Sequence, residues 1–516
     1  MHALDEYQKK AVLLKNPNVL AIAGAGSGKT TTLVSKINYL LDAGEDPNKI
    51  FCITFTNSAA EEIQLRLNDD IANISTLHSL GYKWLKKISP ELNLIDEEEI
   101  AEILVDIADI VGYRSKSKSK LLALKCNFHK ELKDKEKAIK NLYFSKLKSY
   151  SLIDYDTILV KFASFLKTGI ISIPINFLLI DEFQDTSAED MACYLSLKAK
   201  SHFLVGDPRQ AIYQFRGASS EFIKKCDEYF DDLGKVFLNN NYRSNSSICE
   251  VCNSIANNYP PMISTKDIES SASSILPKVV EFRDEYDEHH YVIGLVKNIL
   301  LNQPNATTAL LFRTHAVKEK YRKLLLQYDV MENTPSSGYK DQVILCLIFL
   351  HIYLNPENAF ANKKYLKFLG ASDAVITERL KSLPIIKFDK EMTVQQNLMN
   401  HGISQKFIDI VDFPYTADYD IFNAIEAINE FKSNSNSDYT SITLSTIHGA
   451  KGREWDNVII PECNNANFPF KGKDTEEERN IFYVACSRAK KTLSLTYSQN
   501  FKTNFGSYNC DQTIYM

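Results

Sequence analysis

Short apolar runs that break off into small or polar residues recur through the first half of the chain. Residues 19–23 end in Gly24-Ala25-Gly26-Ser27-Gly28-Lys29-Thr30, and residues 50–55 end in Thr56-Asn57. Ile74 leads into Ser75-Thr76-Leu77-His78-Ser79. Residues 177–180 run into Asp181-Glu182-Phe183-Gln184-Asp185, and residues 202–205 into Gly206-Asp207-Pro208-Arg209-Gln210. Runs this short, without alternation, predict strands buried on both faces. Helix-like segments begin at Thr31 and at Ser58-Ala59-Ala60-Glu61-Glu62-Ile63. The pattern predicts an open α/β sheet whose polar loops gather at the strands' carboxyl ends, where such sheets hold ligands.

A different texture follows residue 90. Residues 91–110 hold eight acidic side chains and no basic one, whereas residues 111–150 hold twelve Lys/Arg against three acids. Apolar positions Leu121, Leu122, Leu124, Leu132, Ile139, Leu142, Phe144 and Leu147 fall at helical, though irregular, spacing. This predicts a helical insertion with a basic face. Charge alone leaves open whether that face is merely solvated or meets a phosphate backbone.

Bulk properties narrow the picture further. A length of 516 residues, 44% hydrophobic and 24% charged, predicts an ordinary globular protein of several domains. The net charge of −5 argues against a uniformly basic nucleic-acid-coating protein. The ten cysteines form no disulfide framework, and Cys249-x-x-Cys252, unanswered by a second pair, reads as two ordinary helical thiols rather than a metal site. The N-terminus lacks a basic segment followed by an apolar core. Residues 343–354, the longest apolar run, are too few to span a bilayer and read as a buried helix. The expectation is a soluble, cytoplasmic protein without a membrane partner.

The chemistry begins at the first loop. Ala23, Gly24, Ala25, Gly26, Ser27 and Gly28 are side-chain-poor, so backbone N–H groups can close on phosphate oxygens while the next helix points its positive end at them. Lys29 would reach the β/γ-phosphates of a nucleotide, and Thr30 would hold Mg²⁺. Ala23 stands where a strict G-x4-G-K-[ST] pattern has glycine. Asp-Glu after residues 177–180 supplies the other half of such a site: Asp181 for Mg²⁺ and Glu182 to polarise water. A capped helix start is the plainer reading of that dipeptide alone; the upstream loop favours the catalytic one. Gln8 could meet an adenine edge, although a surface glutamine would look the same. Tyr213 and Phe215 beside Arg216 could stack on bases, although core packing is the usual fate of such rings.

Together these motifs resemble, in order, those of UvrD/Rep/PcrA-type superfamily 1A helicases. The resemblance continues through Asn241-Tyr242-Arg243-Ser244, Leu310-Leu311-Phe312-Arg313-Thr314, Thr446-Ile447-His448-Gly449-Ala450-Lys451-Gly452-Arg453-Glu454-Trp455 and residues 477–489. It implies an α/β fold of two RecA-like P-loop domains, parallel sheets flanked by helices, with ATP and Mg²⁺ between them. The implied first domain (1A) takes residues 1–88 and 150–240, and its mainly helical insertion (1B) 89–149. The second (2A) takes 241–354 and 439–516, around a reduced insertion (2B) at 355–438. Carried onto matching positions, Gln8 and Tyr242 would hold adenine and Glu454 the ribose, with Thr31 also in the ATP site. Gln210, Arg243 and Arg488 would contact the γ-phosphate. Phe55, Thr56, Asn57, His78, Tyr213, Phe215, Arg216, Thr446 and His448 would contact DNA. The implied activity is ATP-driven 3′-to-5′ translocation on single-stranded DNA and tailed duplexes.

Departures qualify the resemblance. Ser58 replaces a usual lysine, Thr31 a frequent arginine that stacks on adenine, and Phe215 a usual tryptophan; Phe470 stands where histidine is frequent. Ser433-Asn434-Ser435-Asn436-Ser437-Asp438 reads as a linker back into the core. The compact second insertion also resembles helicase subunits of phage-defence systems such as Gabija. That resemblance implies an alternative role: an ATP-gated, DNA-sensing subunit that regulates a partner nuclease.

Overall fold

A computed structural model describes residues 4–67, 73–128, 131–214, 217–256, 259–265 and 277–327, shorter stretches between 345 and 403, and 442–465, 467–469, 475–503 and 506–509. Its first sheet is built from β1 (Asn18–Ala23), β2 (Ile50–Thr54) and β3 (Asn73–Thr76). After the short pair β4 (Asn93–Leu94) and β5 (Leu152–Ile153) come β6 (Phe177–Ile180), β7 (Ser201–Gly206) and β8 (Leu233–Leu238). The order is β3-β2-β6-β7-β1-β8, with every pairing parallel. All five residues of β2 are buried, as the unalternating pattern predicts for a central strand covered on both faces.

Helices cover both faces. Leu33, Ile37 and Leu40 of helix Lys29–Asp42 pack with Ala11 and Ile63 on one side. Leu80, Leu85, Ile158, Phe162 and Met191 fill the other. Phe162 is wholly buried, so truncation to alanine should cost about 3–5 kcal/mol. Because all strands run the same way, the loops after β1, β2, β3, β6 and β7 emerge at one edge. That edge carries every candidate motif of the first half.

The second sheet follows β9 (Asn240–Asn241) and β10 (Ile263–Ser264), which pair with each other. It contains β11 (Lys278–Asp284), β12 (Thr308–Phe312), β13 (Ile442–Thr446), β14 (Trp455–Ile460) and β15 (Ala489–Thr503), in the parallel order β11-β15-β14-β12-β13. Strand β16 (Gly506–Asn509) turns back antiparallel on β15. The chain thus forms two α/β domains, each a parallel sheet flanked by helices.

Helices Glu97–Val111, Lys118–Lys125 and Asp134–Ser149 close around their own core of Ile100, Leu104, Ile107, Leu121, Ile139 and Tyr143. Their charges partly cancel: Lys116 pairs with Asp109, Lys118 with Glu98 and Glu102, and Lys146 with Asp106. The acidic run is therefore the partner of the basic one, and the net positive face is smaller than the twelve-to-three count suggests. What remains exposed on helix Asp134–Ser149 includes Lys137 and Lys148 around an exposed Phe144. Cys249 and Cys252 are buried free thiols on helix Ser246–Ile255. Residues 345–350 are helical and buried except for the half-buried Leu345, which agrees with the buried-helix reading of that run. The Ser433–Asp438 linker and Phe470 lie outside the described residues. Among the described residues, no helix is long and apolar enough to cross a membrane.

Candidate active site

The loop after β1 is shaped by two glycines in the left-handed region, Gly26 at φ 70° and Gly28 at φ 80°. A Cβ on Gly26 would stand 2.6 Å from the Arg243 Cβ, and one on Gly28 would stand 2.6 Å from Gln8 Nε2. Glycine is needed here both for backbone conformation and for close approach. Helix Lys29–Asp42 starts at Gly28 without a side-chain cap, so the N–H groups of its first turn stay available to an anion. The Ser27 hydroxyl is buried and has no hydrogen-bond partner, which also fits a loop built to close on phosphate.

Beside it, Lys29 Nζ lies 3.2 Å from Glu182 Oε1. Asp181 directly follows β6, and its carboxylate accepts the Glu182 N–H at 2.9 Å. Glu182 holds a left-handed φ of 50°, a costly conformation for a non-glycine residue and one that accumulates at functional sites. Burial pushes the Asp181 carboxyl up, reinforced by the neighbouring Glu182 charge. Burial opposes the Glu182 charge too, but Lys29, Lys451 and a hydrogen bond from Gln184 outweigh it and hold that carboxylate below its ordinary range. One acid is thus poised near neutrality while its neighbour stays ionised.

The second domain closes against this edge through several contacts. Asn241 Nδ2 donates to the Ala25 carbonyl at 2.7 Å, and the Tyr242 N–H donates to the Gly26 carbonyl at 2.8 Å. Lys451 forms a buried ion pair with Asp185 and donates to the Gln210 carbonyl at 2.7 Å. Arg488 Nη2 donates to Gln210 Oε1 at 3.3 Å and otherwise reaches Ser487 Oγ and the carbonyls of Val484 and Arg453. Burial, then repulsion from Arg243, pushes the Arg488 guanidinium down to about 9, still charged at neutral pH. It is wholly buried, and no carboxylate stands among its ion-pair partners in the described structure. A buried cation held only by neutral oxygens is suited to an incoming anion.

Other predicted nucleotide contacts are occupied by protein partners. Arg243 Nε pairs with Glu454 at 2.5 Å, and Lys490 meets the same carboxylate at 2.6 Å. Gln8 is buried; its Nε2 donates to the Ser27 carbonyl at 3.0 Å and its Oε1 accepts the Asp5 N–H at 3.2 Å. The Tyr242 hydroxyl donates to Asp5. Thr31 Oγ1 accepts from Arg66 at 3.4 Å, so a guanidinium stands beside this threonine although the sequence has none at position 31. Ala23 is the last, fully buried residue of β1, and Thr30 sits in the first turn of the following helix.

The predicted nucleic-acid contacts divide into two groups. Phe55, 42% exposed, stacks on Tyr213 with centroids 5.3 Å apart and planes at 12°. Tyr213 in turn reaches His448, its hydroxyl donating to that carbonyl at 3.4 Å, and lies under Lys451 Nζ at 4.8 Å. These residues form one aromatic shelf across the two domains. Thr56 and Asn57 serve local structure instead: Thr56 caps helix Asn57–Arg66, and Asn57 is buried. Thr446 Oγ1 accepts the Gly449 N–H at 3.3 Å. His78 is not in a loop; it lies in helix Leu77–Ile88, stacked on Tyr155 at 4.0 Å, and burial pushes its imidazole down to about 3. It is a neutral ring, not a phosphate-binding cation. Phe215 and Arg216 lie outside the described residues.

Sequence reasoning assigned no role to Lys451, Asp5, Tyr483 or Asn480. Tyr483 donates to Asp207 at 3.3 Å and accepts the Ala25 N–H at 3.4 Å, while Asn480 donates to the carbonyls of Pro208 and Ala211. Lys451 could have been noticed as an unassigned cation inside the Thr446–Trp455 motif. Asp5 carried a signal too, since Asp5-x-x-Gln8 is a capping-box pattern.

A scan against family models matches residues 4–231 to the UvrD/REP helicase N-terminal domain and residues 236–379 and 390–500 to the UvrD-like helicase C-terminal domain. The chain belongs to the UvrD-like helicases. It is 24% identical to the ATP-dependent DNA helicase Rep of Buchnera aphidicola subsp. Baizongia pistaciae, across 96% of this chain and 91% of the relative. Similarity to the DNA helicase II of Rickettsia typhi is 25% over 97% and 93%, and to the ATP-dependent DNA helicase srs2 of Schizosaccharomyces pombe 25% over 98% and 72%. For this UvrD-like helicase the two family segments meet between residues 231 and 236, at β8, where the chain leaves the first sheet.

Proposed function

We propose that this UvrD-like helicase hydrolyses ATP in the cleft between its two sheets and uses the cycle to move 3′ to 5′ along single-stranded DNA, opening tailed duplexes. The carrying observation is the meeting of Lys29, Asp181 and Glu182 with Arg243, Lys451 and Arg488 from the other domain, directly beside the Phe55–Tyr213–His448 shelf. The polarity rests on the family resemblance.

The residues fit a magnesium nucleotide. Thr30 and Asp181 would hold Mg²⁺, which when bound would neutralise phosphate charge. Lys29 would leave Glu182 for the β/γ-phosphates, freeing that carboxylate to accept a proton from water. Arg243 would likewise exchange Glu454 for the γ-phosphate, leaving Glu454 to the ribose, and Arg488 would add a cation delivered only when the domains meet. The two exchanges and the arrival of Arg488 tie domain closure to the nucleotide. A base entering between Phe55 and Tyr213, both on the first domain, would separate rings that otherwise stack on each other, and the Tyr213–His448 contact would pass that change to the second domain.

Unwinding of forked duplexes with Mg-ATP tests the reading. A 3′-tailed substrate should open and a 5′-tailed one should not, and Glu182→Gln should abolish opening while ATP still binds. Opening from 5′ tails alone would overturn the polarity. ATPase stimulation by RNA above that by DNA would overturn the substrate class.

A further inference from the structure

At the edge of the first sheet opposite the nucleotide loop, two adjoining depressions of about 590 and 420 Å³ share Ser196 and Lys198. The first is floored by Met191, Ala192, Leu195 and Phe222, and the second by Ile171, Ile173 and Pro174. Lys49 and Lys200 place this groove at the amino ends of β2 and β7. The second depression therefore lies at the sheet edge opposite the phosphate loop, and the first runs from there along helix Ala188–Ser196 as far as Ala188, three residues after Asp185.

Three features mark the groove as more than ordinary surface. Leu195 is 44% exposed in the middle of an apolar floor, so the last turn of helix Ala188–Ser196 presents a side chain that nothing covers. Lys167, Lys198 and Lys200 stand on its rim, exposed, and have no ion-pair partner among the described residues. Lys49 is the exception, paired with Asp46 at 3.4 Å. Acids nearby are turned to other work: Asp190 accepts the Ser187 N–H in a capping box, and Glu221 pairs with Lys224 and Lys225. Glu189 alone sits exposed at the start of the helix. Lys198 also holds a left-handed φ of 51°, where glycine or asparagine would sit at lower cost, so this turn keeps a cation despite strain.

We propose that this groove docks an amphipathic, acidic helix of a partner protein. Apolar side chains of the helix would cover Leu195, Ala192 and Phe222, and its flanking carboxylates would meet Lys167, Lys198 and Lys200. An open apolar trough with a cationic rim is complementary to that chemistry and to neither a neutral nor a basic segment. None of its lining residues belongs to the proposed nucleotide or DNA machinery. Two elements connect it to the cleft: helix Ala188–Ser196, which begins three residues after Asp185, and the short helix Glu221–Lys224, which carries Phe222 and whose Lys224 reaches Glu476 of the second domain at 2.6 Å.

The probe is a fluorescein-labelled synthetic helix of about 18 residues, five turns, with leucine at i, i+3, i+4 and i+7 spacing and glutamate elsewhere. Fluorescence anisotropy with the full chain should show it binding at least about tenfold more tightly than the same peptide with lysine for glutamate, a difference of about 1.4 kcal/mol. Combined K167E, K198E and K200E should remove that preference, and L195D should weaken both peptides. Basal ATPase and single-stranded DNA affinity should be unchanged in these variants, which also certifies their folding. Equal binding of the two peptides, or an unaltered preference in the triple variant, would overturn the proposal. Loss of DNA affinity in the triple variant would assign the lysines to a phosphate backbone instead. A dimer of the parent chain that the triple variant dissolves would assign the groove to a second copy.

Discussion

The two walls of the cleft carry charge of opposite balance, carboxylates prevailing on the first and cations on the second, and they satisfy it differently. On the first wall Lys29, after β1, and Glu182, after β6, stand at the same edge of one sheet with β7 between their strands, and they satisfy each other at 3.2 Å. On the second wall Arg243 and Lys490 share Glu454, whereas Lys451 is paired with Asp185 across the cleft, and Arg488 adds Gln210 across the cleft to three neutral acceptors of its own domain. The Lys29–Glu182 pair of the first wall is satisfied within its own sheet. Lys451 is satisfied by the opposite domain, so opening the cleft would strand it together with Asp185 and cost Arg488 one acceptor. That asymmetry lets a nucleotide, itself a multiple anion, act as the device that makes closure favourable.

Removing the first wall's cation should give the largest effect. Lys29→Ala takes away the group placed for the β/γ-phosphates and leaves Glu182 without its nearest cation. ATP turnover should fall by at least about 10³-fold, read as phosphate release in the presence of single-stranded DNA. A loss below tenfold would show that the first wall is not where phosphate is held.

The second wall is tested next by Arg488→Ala. Because Arg488 is buried among neutral oxygens and has no carboxylate to release, its removal should lower kcat by about 10²–10³-fold while nucleotide Kd changes little. Arg243→Ala should differ, since it also frees Glu454 and so should raise KM as well. Identical kinetic signatures for the two variants would erase the distinction drawn between paired and unpaired cations.

These contrasts also explain what could be read in advance. The first wall was legible because its chemistry is compressed into strand–loop–helix units: Gly26 and Gly28 demand their backbone, and Asp181-Glu182 end a four-residue buried strand. The first parallel sheet was legible for the same reason, since unalternating apolar runs have few other fates, whereas the second was expected only through the family resemblance. Contacts made across more than two hundred residues of chain were not, and Lys451 to Asp185 leaves no local trace. The helical setting of His78 was not legible, because an imidazole after a hydroxyl pair looks like a loop ligand, whereas Thr76 caps the helix in which it lies half-buried and stacked on Tyr155. The helical insertion was legible, but the partial neutralisation of its basic face was not, because the acids that pair with Lys116, Lys118 and Lys146 lie in the preceding segment.

Lys451 sharpens the comparison at an intermediate scale. It links the acidic loop after β6 to the aromatic shelf, pairing with Asp185 and lying 4.8 Å from the Tyr213 ring. Lys451→Ala would leave Asp185 buried and uncompensated, which costs about 3–5 kcal/mol in comparable pairs and should lower Tm. Asp185→Asn in the same chain should restore much of that stability, while DNA stimulation of the ATPase should stay depressed by about tenfold. Recovery of stability and stimulation together would reduce Lys451 to a structural strut.

The smallest effect falls where the two walls are least separable. Asp5 belongs to the first domain, capping helix Glu6–Leu13 by accepting the Gln8 N–H at 2.7 Å. Its other oxygen accepts from Asn240 Nδ2 at 2.9 Å and from the Tyr242 hydroxyl, the residues that lead into the second wall. Asp5→Ala should therefore cost about 1–2 kcal/mol as a lost cap and also loosen Tyr242 over the nucleotide. The expected kinetic signature is a KM for ATP raised about two- to fivefold with kcat held, because neither phosphate-facing cation is disturbed. Asp5→Asn keeps an acceptor for the cap but presents a weaker one to Tyr242, so it should retain Tm and still raise KM. If both substitutions lower Tm equally and leave KM alone, Asp5 is only a helix cap, and the division between a self-contained wall and a borrowed one holds without exception.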